Sequence, residues 1–167
     1  MIGELRGRPA LRWDPWVECW TAEVSMDTGP GVLSPGRENH GGCVEVVFAP
    51  EGRGEGPLTE DERGIFETFL DQRSSLLALA LSAVQRSSVD GAPAKSGDPG
   101  EGQTLNKVYL HPILREGRLY VGFSFEDPKG DIEHGLGVLL NGERVVEVGG
   151  ADTAFLLWIA ERDLRES

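Results

Sequence analysis

Apolar positions recur along this chain with two periods. Between residues 60 and 86, Phe66, Phe69, Leu70, Leu77, Ala80, Leu81 and Val84 follow the spacing of one helical face, which predicts a long amphipathic helix. Its start is marked by Thr59 with Glu62 three residues on, the spacing of a capping box. Glu60, Asp61 and Glu62 also place three carboxylates at the positive end of the helix dipole. Ser74-Ser75 marks a point where this helix is expected to bend. A second helix is expected at about 153–164, capped by Asp152 or Thr153, with Phe155, Leu156 and Ile159 as its apolar stripe.

The other period is two. Residues 16–24 (WVECWTAEV) alternate imperfectly, with Trp16, Glu18, Trp20 and Ala22 on one face and Val17, Cys19, Thr21 and Glu23 on the other. Residues 43–49 (CVEVVFA) read as a short strand. Segments 107–114 and 119–125 flank Arg115-Glu116-Gly117-Arg118 and form a hairpin. Segments 135–140 and 143–148 flank Asn141-Gly142, a strong hairpin signal. A two-residue turn there pairs Leu140 with Glu143, Leu139 with Arg144, Val138 with Val145, Gly137 with Val146 and Gly135 with Val148. Leu139, Val146, Val148 and the two glycines then share a face on which another element can approach closely. Gly149-Gly150-Ala151 is long enough to turn the last helix back onto that face, so Gly137 is expected to be covered. The fold class that follows is α+β: an antiparallel sheet of about five to six strands, packed by a long middle helix and a C-terminal helix.

The remaining segments read as connections. Residues 1–12 look like a loose arm, 27–42 and 50–58 are rich in turn-formers, and 87–104 (SSVDGAPAKSGDPGEGQT) hold too little apolar surface to offset the entropy of ordering. The last of these is read as a mobile insertion within a single domain spanning 1–167, a length that suits one core. The 23 glycines and 10 prolines fit long loops. The formal net charge of −12 argues against nucleic acid or an anionic membrane as partner and favours either staying soluble or docking onto a basic partner. No segment approaches the roughly 20 apolar residues of a membrane span. Met1 to Trp13 carries arginines without an apolar core, and Cys19 and Cys43 show no C-x-x-C spacing, so both read as reduced thiols in a cytoplasmic protein.

Candidate chemistry is sparse. Asp127, Asp131 and Glu133, with Glu126, put four carboxylates within eight residues, which suits calcium, yet the spacing is not that of an EF-hand. The plainer reading is a solvated corner between two strands, with Glu133 or His134 bonding the backbone, and a partner-contacting loop is the remaining alternative. His40, His111 and His134 are the only histidines, and no H-E-x-x-H, C-x-x-C or G-x-S-x-G occurs. Cys19 or Cys43 paired with His134 as a nucleophile competes with the commoner finding of an inert cysteine in a strand. The glycine runs 29–31 and 52–56 lack the lysine and following helix of a phosphate loop. Trp13, Trp16 and Trp20 form an aromatic cluster that reads as core or interface centre before it reads as a stacking platform for sugars or bases. No catalytic set, metal site or cofactor is assigned.

From Leu119 to Asp163 the chain resembles a family of small bacterial domains of unknown function. The resemblance is carried by Asp131, by Glu133-His134-Gly135-Leu136-Gly137-Val138 (E-H-G-x-G-V), and by Val145-Val146-Glu147-Val148-Gly149-Gly150-Ala151-Asp152 before the last helix. Leu58-Thr59-Glu60-Asp61-Glu62 matches the start of that family's middle helix. Such domains look like the immunity or accessory proteins encoded beside bacterial polymorphic toxins. The resemblance implies binding rather than catalysis. The expectation is therefore an immunity-type protein that neutralises a basic toxin domain by occlusion, with Asp127, Asp131, Glu133, Trp13 and Trp16 as contacts. Its rivals are a small metal-dependent hydrolase using His134 with Glu133 or Asp131, and a non-catalytic subunit of a larger assembly.

Overall fold

The capping box forms as its spacing requires. The Thr59 amide donates to Glu62 Oε2 at 2.8 Å, and the Glu62 amide donates to Thr59 Oγ1 at 3.2 Å. In a computed structural model that describes residues 8–26, 34–35, 42–89, 104–126 and 135–166, this box opens α1, Glu60–Val89. The helix continues through Ser74-Ser75, where the Ser75 hydroxyl donates to the Gln72 carbonyl. All seven apolar residues assigned to its inner face are buried. Thr59→Ala is expected to cost about 1 kcal/mol by leaving the Glu62 amide without its acceptor, read as a lower urea midpoint with an unchanged slope.

The sheet is built from β1 (Arg12–Asp14), β2 (Cys19–Ser25), β3 (Ser34–Pro35), β4 (Cys43–Phe48), β5 (Thr104–Arg115), β6 (Arg118–Glu126), β7 (Leu136–Asn141) and β8 (Arg144–Gly150). Seven of these lie in the order β1-β2-β4-β5-β6-β7-β8, and the two-residue β3 pairs with the start of β5. The molecule is thus α+β, but the sheet is mixed where five to six antiparallel strands were expected. β4 and β5 run parallel, with Glu45 opposite Lys107 and Phe48 opposite Leu110. The reason is the connection: α1 carries the chain back along the sheet between them, and a helical crossover returns a strand in the same direction. The count is higher because β1 and β3 are too short to show a period.

α1 covers one face of the sheet. Leu119, Val121, Phe123 and Phe125 of β6, with Val138 and Leu140 of β7, join its buried face in the main core. The opposite face carries Tyr120 and Leu139, which pack with Ile159 and Ala160 of a C-terminal helix, α2 (Leu157–Arg165). β6 is therefore buried on both sides, which is why its apolar run is continuous rather than alternating.

The last hairpin differs in register from the expected one. Its loop residues are Gly142 and Glu143, so Asn141 pairs with Arg144 and Leu140 with Val145. Gly142 has φ 56° while Glu143 does not share the left-handed region, the pattern of a turn with glycine at its first loop position. A bulge then shifts the ladder, pairing Leu139 with Glu147, Val138 with Val148 and Gly137 with Gly149. Val146 consequently packs toward α2 with Leu139, whereas Val148 joins the α1 side. Gly137 is covered, as expected, but by a 3-10 turn (Ala151–Ala154) and the end of the neighbouring strand rather than by the helix: a Cβ there would lie 3.0 Å from the Ala154 amide nitrogen, 3.1 Å from the Ala151 carbonyl oxygen and 2.4 Å from that of Gly150. Gly149 and Gly150 belong to β8 and do not form the turn. Neither Asp152 nor Thr153 caps α2, whose N-cap is Leu156 without a side-chain bond. The Leu157 amide is instead taken by Glu51 Oε2 at 2.7 Å, a residue far away in sequence.

Two boundaries also move. Residues 8–12 are not loose: Arg8 pairs with Glu67 and Asp71 of α1, and Arg12 opens β1. Residues 87–89 belong to α1 and residue 104 to β5, so only the interior of the expected insertion lies outside the described residues.

Candidate protein-binding site

β1 and β2 pair through Trp13 opposite Trp20, and residues 15–18 turn between them. The turn is closed by Asp14, whose Oδ1 accepts from the Trp16 amide at 2.8 Å, and by Glu18 at φ 52°. This throws Trp16 outward: its side chain is 92% exposed, and the adjacent Val17 is half-exposed. Asp14 and Glu18 flank the pair, so an apolar tip is framed by carboxylates. An aromatic ring held on a short bonded turn loses little entropy when a partner covers it.

Trp13 and Trp20 are only partly exposed and pack on one another. Their rings meet edge-on with centroids 6.1 Å apart. The Trp20 indole N–H donates to the Gly54 carbonyl at 3.2 Å, and the Arg53 guanidinium sits 5.9 Å over its ring. Arg53 is the hub of the neighbouring loop, 49–58. It forks onto Glu62, with Nε to Oε1 at 2.6 Å and an Nη to Oε2 at 2.7 Å, and also donates to the carbonyls of Gly54, Gly56 and Pro57. Those bonds hold the Glu62 carboxyl at about 2, with the Arg53 hydrogen bonds as the main cause. The loop that packs on Trp20 is thus cross-braced by Arg53.

Asp127, Asp131, Glu133 and His134, as well as His40, lie outside the described residues. Their segment leaves β6 at Glu126 and rejoins near β7, where Phe125 pairs with Leu136. That is the end of the sheet opposite to the β1–β2 turn, because Trp20, Phe48, Leu110, Val121 and Leu140 lie in register at the near end. The acidic segment and the tryptophan turn are therefore anchored at opposite ends of the strands.

Cys19 and Cys43 stand at opposite ends of the β2–β4 ladder, since Trp20 pairs with Phe48 and Ser25 with Cys43. Six residues of strand separate them by roughly 20 Å, too far for a bond. Burial, aided by Asp14, Glu18 and Glu45, pushes the Cys19 thiol up, so it is held protonated. Among the described residues no three histidine, cysteine or acidic groups gather as metal ligands.

Three features escaped the sequence reading. Trp158, half-exposed on α2, is stacked on Arg162 at 5.1 Å. Asp163 receives the Arg144 fork, Arg115 and the Tyr120 hydroxyl, pinning α2 to the sheet. His111 is fully buried in β5. Only His111 left a trace, through the Pro112 that follows it and breaks the ladder.

Comparison with protein-family models, with curated proteins and with solved structures returns no match. Among the described residues, no helix is long and apolar enough to cross a membrane.

Proposed function

We propose that this chain is an immunity-type protein of the cytoplasm that binds a cognate bacterial toxin and blocks it by occlusion. The observation that carries the reading is Trp16, a large apolar ring 92% exposed on a braced turn and framed by acidic residues. Interfaces draw most of their energy from a few such aromatic anchors, and charge around them steers the partner and selects it. With a formal charge of −12, the chain attracts a basic domain such as a nuclease, whose phosphate groove an acidic protein can fill. Catalysis has no part in this reading.

The test is co-expression with the product of the neighbouring gene. The expected result is a stable complex with loss of toxin activity. Trp16→Ala should weaken the complex by about thirtyfold, equivalent to about 2 kcal/mol, while changing the stability of the free protein by less than about 0.5 kcal/mol. A neighbouring product that is no toxin, or that does not bind, overturns the reading.

A further inference from the structure

β5 carries a second irregularity. Leu110 pairs with Val121 and Leu114 with Leu119, so residues 111–113 bulge out of register where Pro112 has no amide hydrogen to offer. The bulge places His111 beneath the 3-10 turn, with no solvent exposure. Its Nε2 lies 3.0 Å from the Ala154 carbonyl oxygen. A carbonyl only accepts, so Nε2 carries the hydrogen. Burial lowers the pKa of the ring, which is therefore neutral near pH 7 and leaves Nδ1 as a bare lone pair. Nδ1 is the one buried side-chain nitrogen or oxygen among the described residues with no hydrogen-bond partner.

His111 lines a cavity of about 180 Å³, together with Ala49, Pro50, Glu51, Pro112 and Leu157. Its walls are mostly aliphatic. Glu51 is exposed and spends Oε2 on the Leu157 amide. Arg53 also touches the cavity, but its guanidinium is engaged by Glu62 and by the backbone carbonyls. Two of the lining residues thus carry acceptors, Nδ1 of His111, which is buried and unpartnered, and the carboxylate of Glu51, among mostly apolar neighbours. A buried acceptor without a partner is costly, and a donor that reaches it relieves that cost.

We propose that this cavity binds a primary ammonium group on an aliphatic stem, the chemistry of a lysine side chain, with Glu51 facing the charge and His111 Nδ1 accepting an N–H. The cavity belongs to the same end of the sheet as Trp16: the Cys19 thiol contacts the Pro50 carbonyl, and Arg53 stacks on Trp20. A lysine of the basic partner is therefore the occupant, and that assignment rests on the binding function proposed above.

The experiment is a titration of protein labelled with ¹⁵N-histidine, followed by NMR of the His111 ring. n-Butylammonium chloride should move the Nδ1 signal saturably. N,N,N-trimethylbutylammonium, which has the charge but no N–H, should not. Glu51→Gln should weaken the butylammonium response at least tenfold, while the amide oxygen still accepts from Leu157. The peptide acetyl-Ala-Lys-Ala-amide should compete with butylammonium. No shift, or an equal shift with the trimethylated probe, overturns the site. Binding of butylammonium without competition by the peptide overturns the partner lysine and leaves a free-amine site. These probes contain no toxin, so a failed co-purification and a failed titration are distinguishable.

Discussion

Gly122→Ala is expected to detach the C-terminal layer from the sheet. Gly122 lies on the α2 face of β6, between Tyr120 and Ser124. A Cβ placed there would lie 1.8 Å from the Ala154 carbonyl oxygen and within 2.7 Å of its carbonyl carbon and Cα. The obstacle is backbone, so no side-chain rotation relieves it. The 3-10 turn must lift, and it carries the carbonyl that accepts from His111 and leads into α2. Overpacking of a core with flexible neighbours costs about 1–3 kcal/mol. With rigid neighbours the loss should reach about 3 kcal/mol or more, a large share of the stability of a domain this size. Denaturant unfolding gives the number, and a loss below about 1 kcal/mol would show that the turn can shift freely.

Asp163→Ala is the second large effect, expected near 3 kcal/mol. Asp163 is only 14% exposed and receives hydrogen bonds from three side chains. Arg144 Nη1 donates to Oδ1 at 3.0 Å and Nη2 to Oδ2 at 2.6 Å, while Tyr120 and Arg115 reach Oδ2 at 2.7 and 3.0 Å. Removing the carboxylate leaves the buried Tyr120 hydroxyl and the largely covered Arg115 without their acceptor, while the more exposed Arg144 stays hydrated. The same bonds, led by those of Arg144, hold the Asp163 carboxyl at about 2, and burial followed by Asp163 pushes the Tyr120 hydroxyl up to about 12. The pH dependence follows in sign. A carboxyl lowered on folding stabilises the native state above its unfolded value and loses that contribution as pH falls through the folded value. Asp163 and Glu62, both lowered to about 2 from 3.8 and 4.5, should together make stability level above about pH 5 and falling toward pH 2. Guanidinium unfolding at pH 7 and pH 3 should show a smaller loss for Asp163→Asn than for the parent chain. An equal loss would mean that Asp163 does not contribute to the acid limb.

The sequence disclosed what depends on local chemistry. Thr59 and Glu62 announced α1, and the buried face of that helix followed from spacing alone. Both C-terminal hairpins were visible because Glu116-Gly117 and Gly142 accept left-handed backbone, with φ of 52°, 74° and 56°. What stayed hidden depends on distant neighbours. A bulge at Leu139/Leu140 alters no residue type, yet it sends Val148 to the other face of β8. The parallel pairing of β4 with β5 depends on where α1 lies, not on either strand. Gly122 carried no local signal of its own, because the close approach of Ala154 is a long-range fact. At the candidate site, Trp16 was legible as one of an aromatic cluster suited to a core or an interface centre, but its exposure and the packing of Trp20 against the core required the turn geometry.

The helical crossover between β4 and β5 also orders events during synthesis. β4 leaves the ribosome before α1 and long before β5, so one of its edges stays open while the intervening chain is made. From Thr104 onward, the pairs β5–β6, β6–β7 and β7–β8 each join strands adjacent in sequence, and such local contacts close quickly. The C-terminal meander can condense through such contacts alone, and the N-terminal strands dock onto its waiting margin through the β4–β5 pair. Until they dock, the β4 edge that will pair with β5 stays open, which makes that interval the one in which the chain is most exposed to edge-to-edge association.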